Sequence, residues 1–185
     1  MNFNQLITTR RSHRVFTSTE IHPDVVQQIL RAALMSPTSR NQRAWHFVVV
    51  DEKSDLEKLA DAKEQGSSML AQAALAVVVL GDATQNDCWV EDGSIAAITM
   101  QYQAHALGVA SCWVQIRGRR LSDATPSSDV VRGILHIPDS YEVLCILAFG
   151  HPAHSLPPHD DDTLLWERVH LGQFTIDNSQ LTIHN

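Results

Sequence analysis

Between Asp87 and Leu107 the chain spells a helical pattern in which Ile95, Ala96, Ile98, Met100, Tyr102, Ala104 and Leu107 occupy most of the circumference. A helix that is apolar nearly all round cannot rest on a surface; it belongs inside a domain or between two subunits. The rest of the sequence has to supply its cover. Four further apolar runs do so: WHFVVVD (45–51), ALAVVVLGD (74–82), VASCWVQI (109–116) and YEVLCILAFG (141–150), each read as a buried strand.

Helical patterns separate these runs. A short helix over residues 3–9 carries Phe3, Leu6 and Ile7, and His22-Pro23-Asp24 opens another whose Val25, Val26, Ile29, Leu30, Ala33 and Leu34 share one face until Ser36-Pro37 stops it. SDLEKLADAKEQG reads as a charged surface helix capped by Ser54 and closed by Gly66, and a last helix runs from near Ser128 to Leu135, ahead of Pro138. Strands alternating with helices favour a mixed or parallel sheet under helical cover, an α+β (α/β-like) fold with a central mixed sheet of four to five strands. A chain of 185 residues suits one domain that buries roughly 70% of its unfolded surface. Residues 1–185 are therefore read as one domain whose Pro-, His- and Asp-rich end, 151–185, has no core of its own and must lie on something else.

The net charge of −7, from 21 acids against 14 Lys and Arg, provides no long-range field for nucleic acid or an anionic membrane. No apolar run approaches the ~18 residues of a membrane span, and MNFNQLITTRRSHR lacks the residue order of a signal peptide. Cys88, Cys112 and Cys145 are odd in number, and two sit in apolar runs, as buried thiols do in a reducing compartment. A cytoplasmic protein without nucleic-acid or membrane partners is expected.

Against that acidic background TTRRSHRVF (8–16) stands out. In an extended segment a period of two puts Arg10, Ser12 and Arg14 on one side and Arg11 and His13 on the other. Two guanidinium forks flanking a hydroxyl make a phosphate receptor; a solvated basic patch fits the spacing equally well. The turn PTSRN (37–41) offers Thr38, Ser39, Asn41 and free backbone N–H groups to a polar ring edge, or is a plain loop. Neither a Gly-x-Gly-x-x-Gly nor a Gly-Lys-Ser/Thr loop is present, and no Gly-x-Ser-x-Gly elbow. His151, His154 and His159 precede Asp160, Asp161 and Asp162, but Pro152, Pro157 and Pro158 break any ligand geometry, so no metal is expected. Cys112, among apolar neighbours, reads as structural rather than nucleophilic.

Taken in order, these segments resemble the FMN-dependent nitroreductase family over about residues 5 to 172. Arg10-Arg11-Ser12-His13-Arg14 is similar to the family's Arg-x-Ser-x-Arg/Lys element, and SPTSRNQRAWHFVVV to its Pro-Ser/Thr-Ser-x-Asn loop running into Trp and a strand. WVEDGSIAAITMQYQAHALGVASCWVQI is similar to its long helix and following strand, and IPDSYEVLCILAFGHP to its late Pro-x-x-Tyr-x-Val strand ending in Gly150. The resemblance implies a homodimer with the long helix in the interface, two FMN sites between subunits, and residues 151–185 wrapped on the partner. It implies Arg10 and Ser12 on the phosphate, Arg14 near the pyrimidine edge, and Pro37, Thr38, Ser39 and Asn41 against the ring or ribityl chain from the other subunit. Backbone at Trp113, Val114, Gln115 and Ile116 would approach flavin N5, with Arg117 and Gly150 also on the cofactor side.

Two departures from the pattern stand out. Arg43-Ala44 replaces the usual Gln-Pro, and HDDDTLL stands where a late Lys or Arg grips the phosphate. Either Arg11 or the cluster Arg117, Arg119 and Arg120 is expected to fill that second role, or FMN is held less tightly, while Arg11 and His13 otherwise tolerate substitution. The implied activity is ping-pong transfer from NADH or NADPH through FMN to nitroaromatic, quinone or similar electron-poor acceptors, with no catalytic acid or base. A flavin-binding or redox-sensing protein with little turnover, or a specialised dehydrogenase or dehalogenase of the same fold, is the alternative.

Overall fold

The structure, a computed structural model, describes residues 1–174. Its centre is an antiparallel pair, β2 (Leu75–Gly81) against β4 (Glu142–Gly150), flanked by β1 (Trp45–Val50) on one side and β3 (Ala110–Gln115) on the other. Every residue of β2 is buried. Alternation sends Leu75, Val77 and Val79 to one face of the sheet, with Ala76, Val78 and Leu80 on the other, and each set enters a separate core.

The first core lies under α2 (Pro23–Leu34) and α4 (Trp89–Ala106), where Ile29, Ala33, Ala96, Met100 and Ala104 meet Leu147 and Phe149. The second lies under α3 (Lys53–Ala60), a 3-10 turn at Ser68–Gln72 and α5 (Ser127–Leu135), where Leu56, Leu59, Leu70 and Val131 meet Ile146 and Ala148. Between Val79 and Leu80 the register with β4 slips, since Cys145 faces Val79 and Val143 faces Leu80, which leaves Leu144 as the extra residue of a β-bulge. Leu144 turns into the first core beside Gly93 of α4, and its carbonyl accepts from both Ile116 (3.4 Å) and Arg117 (3.0 Å). The bulge thus shapes the point where β3 ends.

The named strands pair only antiparallel, although their alternation with helices suggested a parallel or mixed sheet. The parallel component is the isolated bridge Ser12–Ser111, on the outer edge of β3. Helical connections here carry the chain across faces of the sheet without restoring strand direction. The β1 run, expected to be buried, is a half-open edge with His46 and Val49 exposed, because only β2 pairs with it. The third helix starts at Lys53 with Glu52 as its cap and ends at Ala60, where the Ser67 hydroxyl donates to the Ala60 carbonyl (2.6 Å). Gly66 (φ 78°) turns the chain beyond that end rather than closing the helix itself.

Short α1 (Phe3–Thr9) is held by a reciprocal Asn2–Gln5 capping box. After β4 the chain returns along the N-terminal segment: Phe16 bridges Pro152, Thr17 N–H donates to His151, Ala153 N–H to Val15, and His159 N–H to Thr8. Beyond this Leu164, Leu165, Trp166, Val169, Leu171 and Phe174 are exposed. The expectation for the tail also covers 175–185, which lie outside the described residues.

Gly150 is where the returning chain crosses closest. A Cβ there would stand 2.8 Å from Phe16 Cγ and 2.9 Å from its Cβ, both too near the backbone to swing away. Gly150→Ala should therefore destabilise by about 1–3 kcal/mol, as overpacking does, read from urea denaturation midpoints, and a Phe16→Ala background should remove most of that loss.

Candidate functional site

The arginine segment leaves α1 extended and is laid against β3, with the Ser12–Ser111 bridge and a His13 N–H bond to the Ser111 carbonyl (3.1 Å). Ser111 is fixed from beneath by the buried Gln101 of α4, whose Nε2 donates to its Oγ (3.1 Å). Arg11 reaches the tail, where Nη1 donates to the Pro157 carbonyl (2.5 Å), and His13 is buried, while Arg14 is exposed and Arg10 and Ser12 are half-buried. Among the described residues no ion pair involves Arg10 or Arg14.

His13 is not the dispensable residue the spacing suggested. It is 8% exposed and its Nδ1 has no hydrogen-bond partner. Burial, and then the charges of His154, His105, Arg10 and Arg11, hold its pKa below the usual imidazole value. His105 of α4 is depressed likewise, by burial and then Arg10. The Thr9 hydroxyl lies 2.6 Å from the Gln5 carbonyl and 2.8 Å from His105 Nε2. Its single hydrogen goes to the carbonyl, so the ring nitrogen donates.

Because Ser111 turns its carbonyl to this outer edge, alternation turns the main-chain groups of Trp113 and Gln115 the same way. The Gln115 carbonyl accepts from Lys63 Nζ (3.3 Å), which comes across from beyond α3. Burial and then the neighbouring Arg119 charge lower the Lys63 pKa. Burial raises the pKa of the Cys112 thiol, while Arg14, Arg10 and Lys63 oppose it, so all three cations lie around one strand residue. Cys112 is 2% exposed and structural, as its sequence setting indicated.

The remaining expected positions divide. Val114 and Ile116 bury their side chains completely, leaving only main-chain groups to offer. Trp113 Nε1 donates to Gln115 Oε1 (2.9 Å), and Gln115 Nε2 to the Arg117 carbonyl (2.8 Å). Arg117 lies over the Trp89 ring, 5.7 Å from its centroid, at the N-terminal end of α4. Gly150 is covered by Phe16, so its place is in the packing of the returning chain and not on an open cofactor side.

The loop after α2 is held elsewhere. Both carboxylate oxygens of Asp92 accept from Ser39 N–H (2.9 and 3.1 Å), and Asn86 Nδ2 donates to the same carboxylate (2.6 Å). Thr38 Oγ1 accepts from Arg43 N–H (3.2 Å), and Arg40 pairs with Asp87 (2.8 Å). Arg40, Asn41 and Arg43 have φ of 51°, 54° and 53°. Such left-handed non-glycine residues carry about 1–2 kcal/mol of strain each and persist where surrounding structure fixes them, often at ligand sites. Asp92 sits near the start of α4 and His105, beside Arg10, near its end. The 13 residue steps between them span about 20 Å of helix. Within one chain the loop and the arginine segment therefore occupy opposite ends of α4.

Sequence reasoning missed Lys63, Asp92 and His105. Asp92 could have been found: it falls four residues before Ala96 and eight before Met100, on the buried stripe of α4, where an acid needs a partner. Lys63 has no such signal, since only the tertiary fold brings it to β3. Among the described residues no three His, Cys, Asp or Glu side chains are grouped so as to hold a metal ion, and no helix is long and apolar enough to cross a membrane.

A family model described as the Nitroreductase family matches residues 7–151. A protein of Archaeoglobus fulgidus, provisionally named NADH dehydrogenase/NAD(P)H nitroreductase, is 31% identical over 171 residues, which are 90% of this chain and 95% of its own. Among solved structures, an FMN-dependent nitroreductase from Clostridium difficile superposes with a TM-score of 0.90 at 37% identity, covering 91% of this chain and 98% of that one. A protein of Bacteroides thetaiotaomicron with the same provisional name as the Archaeoglobus relative gives 0.84 at 27% identity, over 92% and 97% of the two chains.

Two outcomes follow from the site's geometry. Asp92→Ala leaves the Ser39 N–H and the Asn86 amide without their acceptor; it should cost about 1–3 kcal/mol and speed hydrogen exchange at Ser39, whereas Asp92→Asn, which keeps one carbonyl, should lose less. The folded-state pKa of His13 lies below its unfolded value of about 6.5, so the unfolded chain binds more protons there. Its stabilising contribution is complete above about pH 6.5 and falls as the pH drops through that value toward the folded pKa. The thermal midpoint should therefore fall between about pH 7 and 5.5, and fall less in His13→Gln.

Proposed function

The chain belongs to the nitroreductase family, and from that premise we propose that it is an FMN-dependent NAD(P)H oxidoreductase acting on nitroaromatic, quinone or similar electron-poor acceptors. The observation that carries the proposal is the set of cations that form no ion pair among the described residues, Arg10, Arg14 and Lys63, gathered along the outer edge of β3 in an acidic protein. That donor set fits FMN: forked guanidinium groups beside the Ser12 hydroxyl suit a phosphate dianion, and a strand edge with main-chain donors suits a polar ring edge. Bound FMN supplies the redox chemistry, accepting a hydride from the reduced nicotinamide and returning electrons to the acceptor.

The residues of the chain bind and polarise. Arg10 and Ser12 hold the phosphate, and Arg14 with Lys63 places positive charge where the reduced ring carries negative charge. Trp113 and Gln115 fix the ring by their main-chain groups. No side chain is assigned as acid or base. Arg11 gives its Nη1 to the tail carbonyls of Pro157 and Pro158 and is assigned no phosphate contact in this reading.

The functional unit is proposed to be a homodimer, because one chain cannot bring both of its ligand segments to one flavin. A two-fold axis across α4 sets the loop at one chain's N-terminal end beside the arginine segment at the other's C-terminal end. The outward stripe of α4 supports it: Ile95 is 38% exposed and Ile98 and Tyr102 are only half covered, with exposed Phe3 edge-on to Tyr102 at 6.0 Å. The exposed apolar residues of 164–174 belong on the partner in this arrangement, as part of one domain extending through the tail. A cytoplasmic location completes the reading.

Purified protein should be yellow or bind added FMN, run as a dimer in light scattering, and oxidise NADH or NADPH with a nitroaromatic or quinone. Arg10→Ala should weaken FMN binding, read by flavin fluorescence quenching, by about 10- to 100-fold, the value of a charge-assisted hydrogen bond. A colourless protein that binds no FMN would refute the assignment, whereas tight FMN with negligible nucleotide oxidation would favour a flavin-binding or sensing role.

A further inference from the structure

Beyond the C-terminal end of β3 the chain turns at Gly118 (φ 71°) and opens a polar pocket of about 520 Å³, lined by Lys63, Glu64, Gln115, Arg119 and Arg120 among others. Its loop is firmly built. Arg119 N–H donates to the Ile116 carbonyl and the Arg119 carbonyl accepts from Ser127 N–H (2.9 Å each), while Arg120 bridges Pro126 and its Nη1 donates to the Ala124 carbonyl (3.0 Å). The Arg119 guanidinium has no hydrogen bond or ion pair among the described residues, yet it lies close enough to Lys63 to depress that amine's pKa. Glu64, also in the lining, is exposed and forms an ion pair with neither among the described residues. Three cations held together in a preformed hollow whose one acid, Glu64, makes no ion pair among the described residues call for an anionic ligand.

That anion is not the flavin phosphate. Gln115, in the wall of the pocket, is four residues along β3 from Ser111, about 13 Å from the end where Ser12 is bridged. Nitroaromatic and quinone acceptors need carry no anionic group. The remaining obligate polyanion in the reaction is the dinucleotide reductant.

Resting on the functional reading above, we infer that this pocket receives a phosphate of the reduced pyridine nucleotide, with Arg119 as its principal ligand and Arg120 and Lys63 beside it. A phosphate there anchors the adenosine end, while the nicotinamide lies over the ring held along β3. The pocket is thus a specificity site for the reductant; Lys63 and Gln115, which line it, are the residues it shares with the flavin ring, while Arg119 serves the nucleotide alone.

The test uses the FMN-loaded protein and its Arg119→Gln and Arg119→Glu variants. Calorimetric titration with NADP+ and NAD+, which cannot reduce the flavin, should show affinity lost by about tenfold or more in Arg119→Gln, and more in Arg119→Glu. Stopped-flow reduction by NADPH and NADH should show the same rise in half-saturation with little change in limiting rate. FMN affinity and reoxidation by an uncharged quinone should match the parent protein. A loss confined to the 2′-phosphorylated nucleotides identifies the 2′-phosphate as the group bound; an equal loss for both pairs identifies the diphosphate. The inference is overturned if the variants bind both nucleotides as the parent does, if FMN affinity falls instead, or if only reoxidation slows. A parent protein that binds no FMN would overturn the functional reading and this inference together.

Discussion

Covering both faces of the β2–β4 pair is the constraint from which the rest of the molecule follows. Val77, Val78, Ile146 and Leu147 are all inaccessible to solvent, so each face must carry its own helical layer. Burying one such side chain is worth about 1.5–3 kcal/mol, and two cores share one sheet to gain it. Nothing reactive can be placed on the faces as a result. Chemistry is pushed to what remains open: the outer edge of β3, the loop beyond it, and the two ends of α4.

Polar groups inside this frame act as spacers between the layers. Gln101 ties α4 to Ser111, and Asp92 ties it to the loop after α2, so one helix sets both ligand segments. The acidic surface does not cancel the basic groups, because cations along β3 lie apart from the acids that pair elsewhere, such as Asp87, Asp55 and Asp129. An acidic protein can therefore present a cationic site without long-range attraction for nucleic acid.

Much of this was legible in the sequence, in proportion to how local each signal is. The helix starting at Pro23, the long helix and the four strands announce themselves through capping residues and periodicity, which depend on near neighbours. Strand direction does not, since β2 pairs with β4 across more than sixty positions of chain. The start of α3 escaped because Glu52 caps it without a side-chain bond, and its end because Ser67 supplies one from seven residues away. Within the site, the extended course of the arginine segment was legible, and it does run along a strand, bridged at Ser12 to Ser111. Burial of His13, the approach of Lys63 and the packing of Gly150 under Phe16 required the tertiary fold.

The arginine segment is pinned at both ends, by Ser12 on β3 and by Phe16 on the chain returning from β4. Fixing a residue's backbone costs about 1–2 kcal/mol of conformational entropy, and here that ordering is complete when the protein folds. An arriving anion has only side-chain rotamers left to freeze. Since Phe16 is held by residues 151–153, anion affinity is thermodynamically linked to docking of the C-terminal chain: any event that lifts that chain returns configurational freedom to the receptor, and bound anion in turn resists its lifting.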